Sequence, residues 1–215
     1  SDVGYWSSEI NGLGEYTYYY QPFQGETEEF YEVGATVTVV NQPVLEISLF
    51  LQGPYNTNTV WMNNALKSNN FVERASPYVD GLELPVNEQF SSLIVDWVWV
   101  ELRDATNQNN VPLQQSALLK RNGEVVDIDS YKPIVANVPE GNYYVVVSHR
   151  NHLGVITANP VFIGCGTTTV DLRFDSSQVL GGTNAIKNME DGSFALYAGD
   201  FNGDGQIQNT DKNAV

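Results

Sequence analysis

The clearest alternation of apolar and polar positions runs from Ser91 to Leu102. It predicts a strand with Ile94, Asp96, Val98 and Val100 on one face and Val95, Trp97, Trp99 and Glu101 on the other. Leu45-Glu-Ile-Ser-Leu-Phe-Leu51 predicts a second, with Leu45, Ile47, Leu49 and Leu51 on one face and Gly53-Pro54 as its stop. Gly34 to Val40 alternates in the same way. Ser116 to Lys120 and Val125 to Ile128 flank Arg121-Asn122-Gly123-Glu124, and Asn-Gly is the favoured connection of a tight hairpin. Further extended pieces are expected at 133–136, 138–147, 155–163 with a break at Pro160, and 167–174. Residues 55–92 are rich in Asn, Ser, Pro and Gly and predict a long loop with short pieces, one of them a helical turn from Trp61 to Leu66. Short strands at near-regular spacing with few helical patterns predict an all-β chain. The expected architecture is an antiparallel β-sandwich of Ig-like or transthyretin-like type.

Three segments follow: a Tyr-rich N-terminal strand segment over 1–43, a sandwich module over 44–175, and a linker with a metal loop over 176–215. In the first, Tyr5, Trp6, Tyr16, Tyr18, Tyr19, Tyr20, Phe23 and Phe30 lie among Gly, Gln and Glu. They suit either cross-strand aromatic pairs or a platform for a sugar or a neighbouring protein. Glu26, Glu28, Glu29 and Glu32 form an acidic run expected to be solvated.

Composition narrows the classes. With 42% hydrophobic and 12% aromatic residues, the 215-residue chain has enough apolar mass for a packed core. Its 26 acidic against 10 basic residues give a net charge of −16, which argues against nucleic acid and anionic membrane as partners. Such a charge suits a saline or calcium-rich exterior, where cations screen self-repulsion. No run of about 18 apolar residues predicts a membrane span. Cys165 stands alone, so no internal disulfide is expected. The start at Ser1-Asp2 without Met is expected of a processed chain or a fragment.

One stretch prescribes a chemistry: Asp200-Phe-Asn-Gly-Asp-Gly-Gln-Ile-Gln-Asn-Thr-Asp211. Side-chain oxygens fall at loop positions 1, 3 and 5 (Asp200, Asn202, Asp204), and Gly205 sits where an EF-hand loop turns sharply. Gln206 would offer its backbone carbonyl, and Asp211 closes the loop where Glu is usual. Hard oxygens at this spacing suit Ca²⁺. The same residue types also build ordinary turns; the closing Asp211 and the apolar Ile207 favour the metal. Gly199 and an extended approach predict a loop docked on the sheet rather than held in a helix pair.

Other chemistry is weaker. His149 and His152 with Cys165 or Asp96 suggest a metal or nucleophile site. In one strand, however, 149 and 152 point to opposite faces, so both reach one ion only across a turn. A polar strand end that fixes a loop is the plainer expectation for His149-Arg150-Asn151-His152. None of the nucleophile-elbow, zincin or P-loop motifs is present, and the chain is expected not to be an enzyme. Trp61, Trp97 and Trp99 are the candidates for stacking on a sugar. Trp97 and Trp99, which share a face, equally suit a core under a loop.

Four stretches carry a family likeness: Leu51-Gln-Gly-Pro-Tyr55, Val95-Asp-Trp-Val-Trp-Val-Glu-Leu-Arg103, Tyr143-Tyr-Val-Val-Val-Ser-His-Arg-Asn-His-Leu153 and Ala198-Gly-Asp-Phe-Asn-Gly-Asp-Gly205. In that order they resemble the C-terminal regions of large secreted Bacteroidetes surface proteins. These are described as haemagglutinin-like or dockerin-like and leave by type IX secretion. The likeness covers roughly residues 44–211. It implies an exported, non-catalytic, adhesive or accessory module at the cell surface, with a dockerin-type calcium half-repeat. Two functions then compete. One is a structural or adhesive subunit that meets a partner or its own copy through the Tyr-rich segment. The other is a carbohydrate-binding accessory module of a secreted enzyme.

Overall fold

The computed structural model describes residues 14–17, 36–39, 42–84 and 92–213. Contacts divide the chain into two compact units, Ser1–Asn41 and Gln42–Val215. In the first, β1 (Gly14–Thr17) and β2 (Thr36–Val39) pair antiparallel, Gly14 opposite Val39 and Thr17 opposite Thr36. The alternation read from Gly34 to Val40 thus yields a strand. Tyr5, Trp6, Tyr18, Tyr19, Tyr20, Phe23, Phe30 and the acidic run lie outside the described residues.

Among its described residues the second unit is β apart from one four-residue α-helix and three short 3-10 turns. Its strands are β3 (Pro43–Ser48), β4 (Tyr55–Asn56), β5 (Trp61–Met62), β6 (Ile94–Asp104), β7 (Leu113–Lys120), β8 (Glu124–Val126), β9 (Ile134–Val135), β10 (Gly141–His149), β11 (His152–Ile156), β12 (Val161–Ile163), β13 (Gly166–Asp171), β14 (Lys187–Asn188) and β15 (Phe194–Ala195); helix α1 is Ala65–Ser68. The main sheet runs β11-β10-β6-β7-β8-β3-β13, with β12 also beside β10 and β9 beside β3. Neighbours are antiparallel except β3 and β13, which run parallel with Gly166 opposite Pro43 and Asp171 opposite Ser48. A parallel neighbour needs a long crossover, and the chain between Ser48 and Gly166 supplies one. No described helix is long and apolar enough to cross a membrane.

β6 is the spine, paired with β7 from Ile94 to Leu102 and with β10 from Trp99 to Asp104. Its faces differ from those the alternation predicts. The register with β7 slips between Ile94 and Asp96, so one residue is extra on β6. Such a bulge flips the phase of the side chains before it. Ile94 therefore joins Trp97 in one cluster with Leu118, Val126 and Ile128, while Val95 joins Val98, Val100 and Leu102 in the main core. Burying each large apolar side chain stabilises by roughly 1.5–3 kcal/mol.

The predicted hairpin forms. Gly123 takes φ +93, and a Cβ there would lie 2.7 Å from the Leu49 carbonyl oxygen. Leu49 N–H donates to the Gly123 carbonyl at 2.9 Å, so the turn is pressed against the exit of β3 and only glycine fits. The predicted helical turn from Trp61 to Leu66 is replaced by the hairpin β4–β5, with α1 starting later. Tertiary bonds decide this: Met62 N–H donates to the Arg121 carbonyl at 2.8 Å, and the buried Met62 sulfur accepts from Leu51 N–H at 3.2 Å. Residues 72–84 lie over the tryptophan face of β6, where Trp97 Nε1–H donates to the Glu73 carbonyl and Tyr78 packs on Trp99 at 5.6 Å between ring centroids.

The approach to the oxygen-rich loop is laid along two elements at once. Gln52 N–H donates to Leu196 O at 3.0 Å, Leu153 N–H to Tyr197 O at 2.8 Å, and Gly199 N–H to Asn151 O at 3.1 Å. The loop therefore starts from backbone bonded to the β3 exit and to β11.

Candidate functional site: an oxygen-lined loop and a buried histidine pair

The loop 200–211 closes on itself through Asp211. One Asp211 oxygen accepts the N–H groups of Phe201 (3.0 Å) and Asn202 (3.3 Å), and the other accepts that of Gln208 (2.7 Å). The Gln208 N–H holds the carboxyl below the usual carboxylate range; burial opposes this, and the Asn202 and Phe201 N–H groups add to the lowering. Asp211 thus ties position 12 to positions 2, 3 and 9. The short Asp suits this role, since it reaches backbone that a longer Glu would overshoot.

Within that closure the remaining oxygens are differently placed. Asn202 Oδ1 accepts from Asp204 N–H at 3.0 Å, and Asp204 Oδ1 from Gln206 N–H at 2.9 Å. Asp204 Oδ2 accepts from the side-chain amides of Asn202 and Gln208 at 2.9 and 3.0 Å. Asp200 Oδ2 accepts from Gly205 N–H at 3.1 Å. Asp200 Oδ1, on a residue only 3% exposed, has no partner. A buried carboxylate oxygen without a donor is costly and calls for an ion or a water. Gly203 (φ +69) and Gly205 (φ +80) supply the left-handed turns that wrap the chain around these oxygens. Among the described residues no three His, Cys, Asp or Glu side chains converge as a metal-binding group. Asp204 is turned towards amide donors and Asp211 towards backbone N–H groups, which leaves Asp200 as the oxygen open to a cation. Gln208 is a loop member that the position rule passes over; its side chain holds Asp204.

The second constellation is buried. Arg150 and Asn151 form the turn between β10 and β11, which brings His149 opposite His152. Their Nδ1 atoms lie 3.0 Å apart. The turn that two histidines of one strand would require is present, but the nitrogens face each other instead of a shared ion. Asn151 N–H points at His149 Nδ1 at 3.3 Å, so that nitrogen accepts. His152 Nδ1 then carries the proton, with Asn151 Oδ1 also at 2.9 Å. His149 Nε2 faces Asp96 Oδ2 at 3.3 Å, longer than a good hydrogen bond. Arg150 donates to the same oxygen at 2.8 and 3.2 Å, and Trp97 N–H to Asp96 Oδ1 at 2.8 Å. Burial alone would raise the Asp96 pKa, but the His149 contact, Arg150 and the Trp97 N–H together lower it. Burial, then the neighbouring His149, pushes His152 down to about 3 against a smaller opposing pull from Asp96. Asp96 belongs to this cluster; Cys165, the other partner considered, is exposed and carries none of its contacts. The cluster acts as a clamp on the β10–β11 turn.

The three tryptophans separate. Trp97 is 1% exposed and Trp99 is 8% exposed, so neither offers a face to a sugar and both are core. Trp99 Nε1–H donates to Glu101, which also holds Arg103. Trp61 is 41% exposed. Comparison with protein-family models, with curated proteins and with solved structures finds no match.

Proposed function

We propose that this chain is a non-catalytic, extracellular structural or adhesive module of a bacterial surface or secreted assembly, stabilised by one Ca²⁺ in the loop 200–211. The observation that carries the metal is the buried, unpartnered Oδ1 of Asp200, inside a loop whose oxygens follow a calcium spacing. Asp200 would supply the open oxygen, Asn202, Asp204 and Asp211 the second lone pairs of side-chain oxygens that already accept N–H groups, and Gln206 its carbonyl. The cation would neutralise charge that the loop concentrates and bind its ends together. Because the loop hangs from backbone bonded to β11 and the β3 exit, holding it would also hold the C-terminal stem. We read unit 42–215 as an antiparallel sandwich of Ig-like or transthyretin-like type, supported by the two hydrophobic clusters that flank β6.

The adhesive and extracellular parts rest on the four quoted stretches and on the net charge of −16. The Tyr-rich segment 1–43 is the proposed contact with a partner or a second copy. Light scattering with calcium and then with chelator tests this. Large calcium-dependent particles that shrink on deletion of the segment are expected; a monomer in both conditions would refute assembly.

The carbohydrate-binding alternative retains one aromatic, Trp61, as a candidate platform.

A further inference from the structure

Acidic residues number 26 in this chain, yet none occurs from Ile47 to Val72. That run instead carries Asn56, Asn58, Asn63, Asn64, Asn69 and Asn70 with several hydroxyls. It is a carboxylate-free, amide-rich interruption in a strongly anionic molecule, with Lys67 as its charged residue, and an exposed indole stands in the middle of it.

The hairpin β4–β5 is built to present that indole. Asn56 pairs with Trp61 and Tyr55 with Met62, so Tyr55 and Met62 enter the core while Trp61 faces out. Val60, just before it, takes φ +56. A β-branched residue in the left-handed region is strained and persists only where its surroundings enforce it. The enforcement is visible: Val60 N–H donates to the Asn56 carbonyl at 2.9 Å, and Thr59 N–H to the same oxygen at 3.2 Å. The Arg121 guanidinium lies 5.6 Å from the centre of the Trp61 ring. It is itself fixed, since Arg121 Nε donates to Met62 O at 2.8 Å and Arg121 N–H to Leu93 O at 2.7 Å. The ring is therefore positioned by a cation contact and still 41% exposed. Beside it, the Thr57 hydroxyl and the Asn58 side-chain amide have no hydrogen bond to any other described residue.

We infer that the Trp61 hairpin is a contact site for neutral glycan, with Trp61 stacking on the apolar face of a sugar ring and Asn58 and Thr57 exchanging hydrogen bonds with its hydroxyls. An indole is a large rigid surface with little conformational entropy to lose, and amides both donate and accept, as vicinal hydroxyls require. The long-range field of the remaining chain disfavours acidic saccharides, which selects the neutral class. This deepens the carbohydrate-binding alternative and rests on it.

The test is affinity electrophoresis of the calcium-loaded full chain through native gels that contain mannan, galactomannan, xyloglucan or a β-glucan. Retardation by at least one of them is expected. Trp61→Ala should weaken it at least tenfold, which is about 1.4 kcal/mol. Asn58→Ala should weaken it by a smaller factor, and both variants should melt with the parent and keep its response to chelator. Absence of retardation in every gel would overturn the inference, as would retardation that Trp61→Ala leaves unchanged. Loss of self-association in Trp61→Ala without any saccharide effect would assign the hairpin to a second copy and equally overturn it. A melt indifferent to chelator, with retardation intact, would instead remove the calcium reading and leave the glycan site standing.

Discussion

Two carboxylate-centred regions of this chain border the same C-terminal stem and are built on opposite plans. Around Asp96 both carboxylate oxygens are filled, by Arg150 and by the Trp97 N–H, and the two histidines turn their Nδ1 atoms to each other, leaving their buried Nε2 atoms without a hydrogen bond. Around Asp200 one buried oxygen is left over, and the loop's other acceptors are occupied by backbone and amide donors. A carboxylate whose oxygens are both filled from within the chain fixes structure; one that leaves an oxygen bare invites a cation. The same residue types thus carry different roles according to whether their donors come from within the chain.

The contrast breaks most sharply at Asp96. Asp96→Ala leaves the half-buried Arg150 without its partner and removes the acceptor facing the buried His149, so we expect a loss of roughly 3 kcal/mol, the low end for a broken buried pair because Arg150 still reaches water. Urea titration read by fluorescence would register it, and calcium should not restore it. Chelation comes next. If Ca²⁺ binds only the folded chain, a hundredfold excess over its dissociation constant adds about 2.7 kcal/mol, so EDTA should lower the melting temperature and Asp200→Ala should make the melt indifferent to EDTA.

Acid separates the regions further. His152 is neutral when folded, with its pKa near 3, whereas unfolded it titrates near 6.5. Between those values the unfolded chain binds the extra proton, so stability falls as pH falls through that window. At pH 5 the loss is on the order of 2 kcal/mol, a melting shift of roughly 4–8 °C. The lowered Asp96 pKa acts in the same direction at still lower pH. His152→Asn should flatten the slope between pH 7 and 5 in a melting series; an unchanged slope would refute the assignment. The smallest effect is at Asn202. Its replacement by Ala removes one side-chain oxygen and should weaken calcium binding about tenfold, or about 1.4 kcal/mol, in a calorimetric titration.

How much of this was legible depends on the range of the forces involved. β3, β6, β10 and the Asn122-Gly123 hairpin follow from local alternation and turn chemistry, and the sequence expects all of them. The bulge that moves Ile94 to the Trp97 side depends on the register with β7, and the parallel pairing of β13 with β3 depends on a crossover; neither leaves a local trace. Residues 61–66 favour a helical turn locally, but Met62 is pulled into the core by Leu51 and Arg121, distant in sequence. At the loop, the oxygen positions are readable from spacing. That Asp211 spends its oxygens on Phe201, Asn202 and Gln208 is not, because a ligand spacing says nothing about backbone donors. The histidine pair was readable only as a condition, a turn between 149 and 152, and Arg150-Asn151 carries no glycine or proline to announce it.

The most direct test of the central claim is calorimetric titration of metal-stripped protein with Ca²⁺, run beside Asp200→Ala. The account predicts one saturable site per chain in the parent and no binding heat in the variant. An absence of heat in the parent, or equal binding in both, would contradict it.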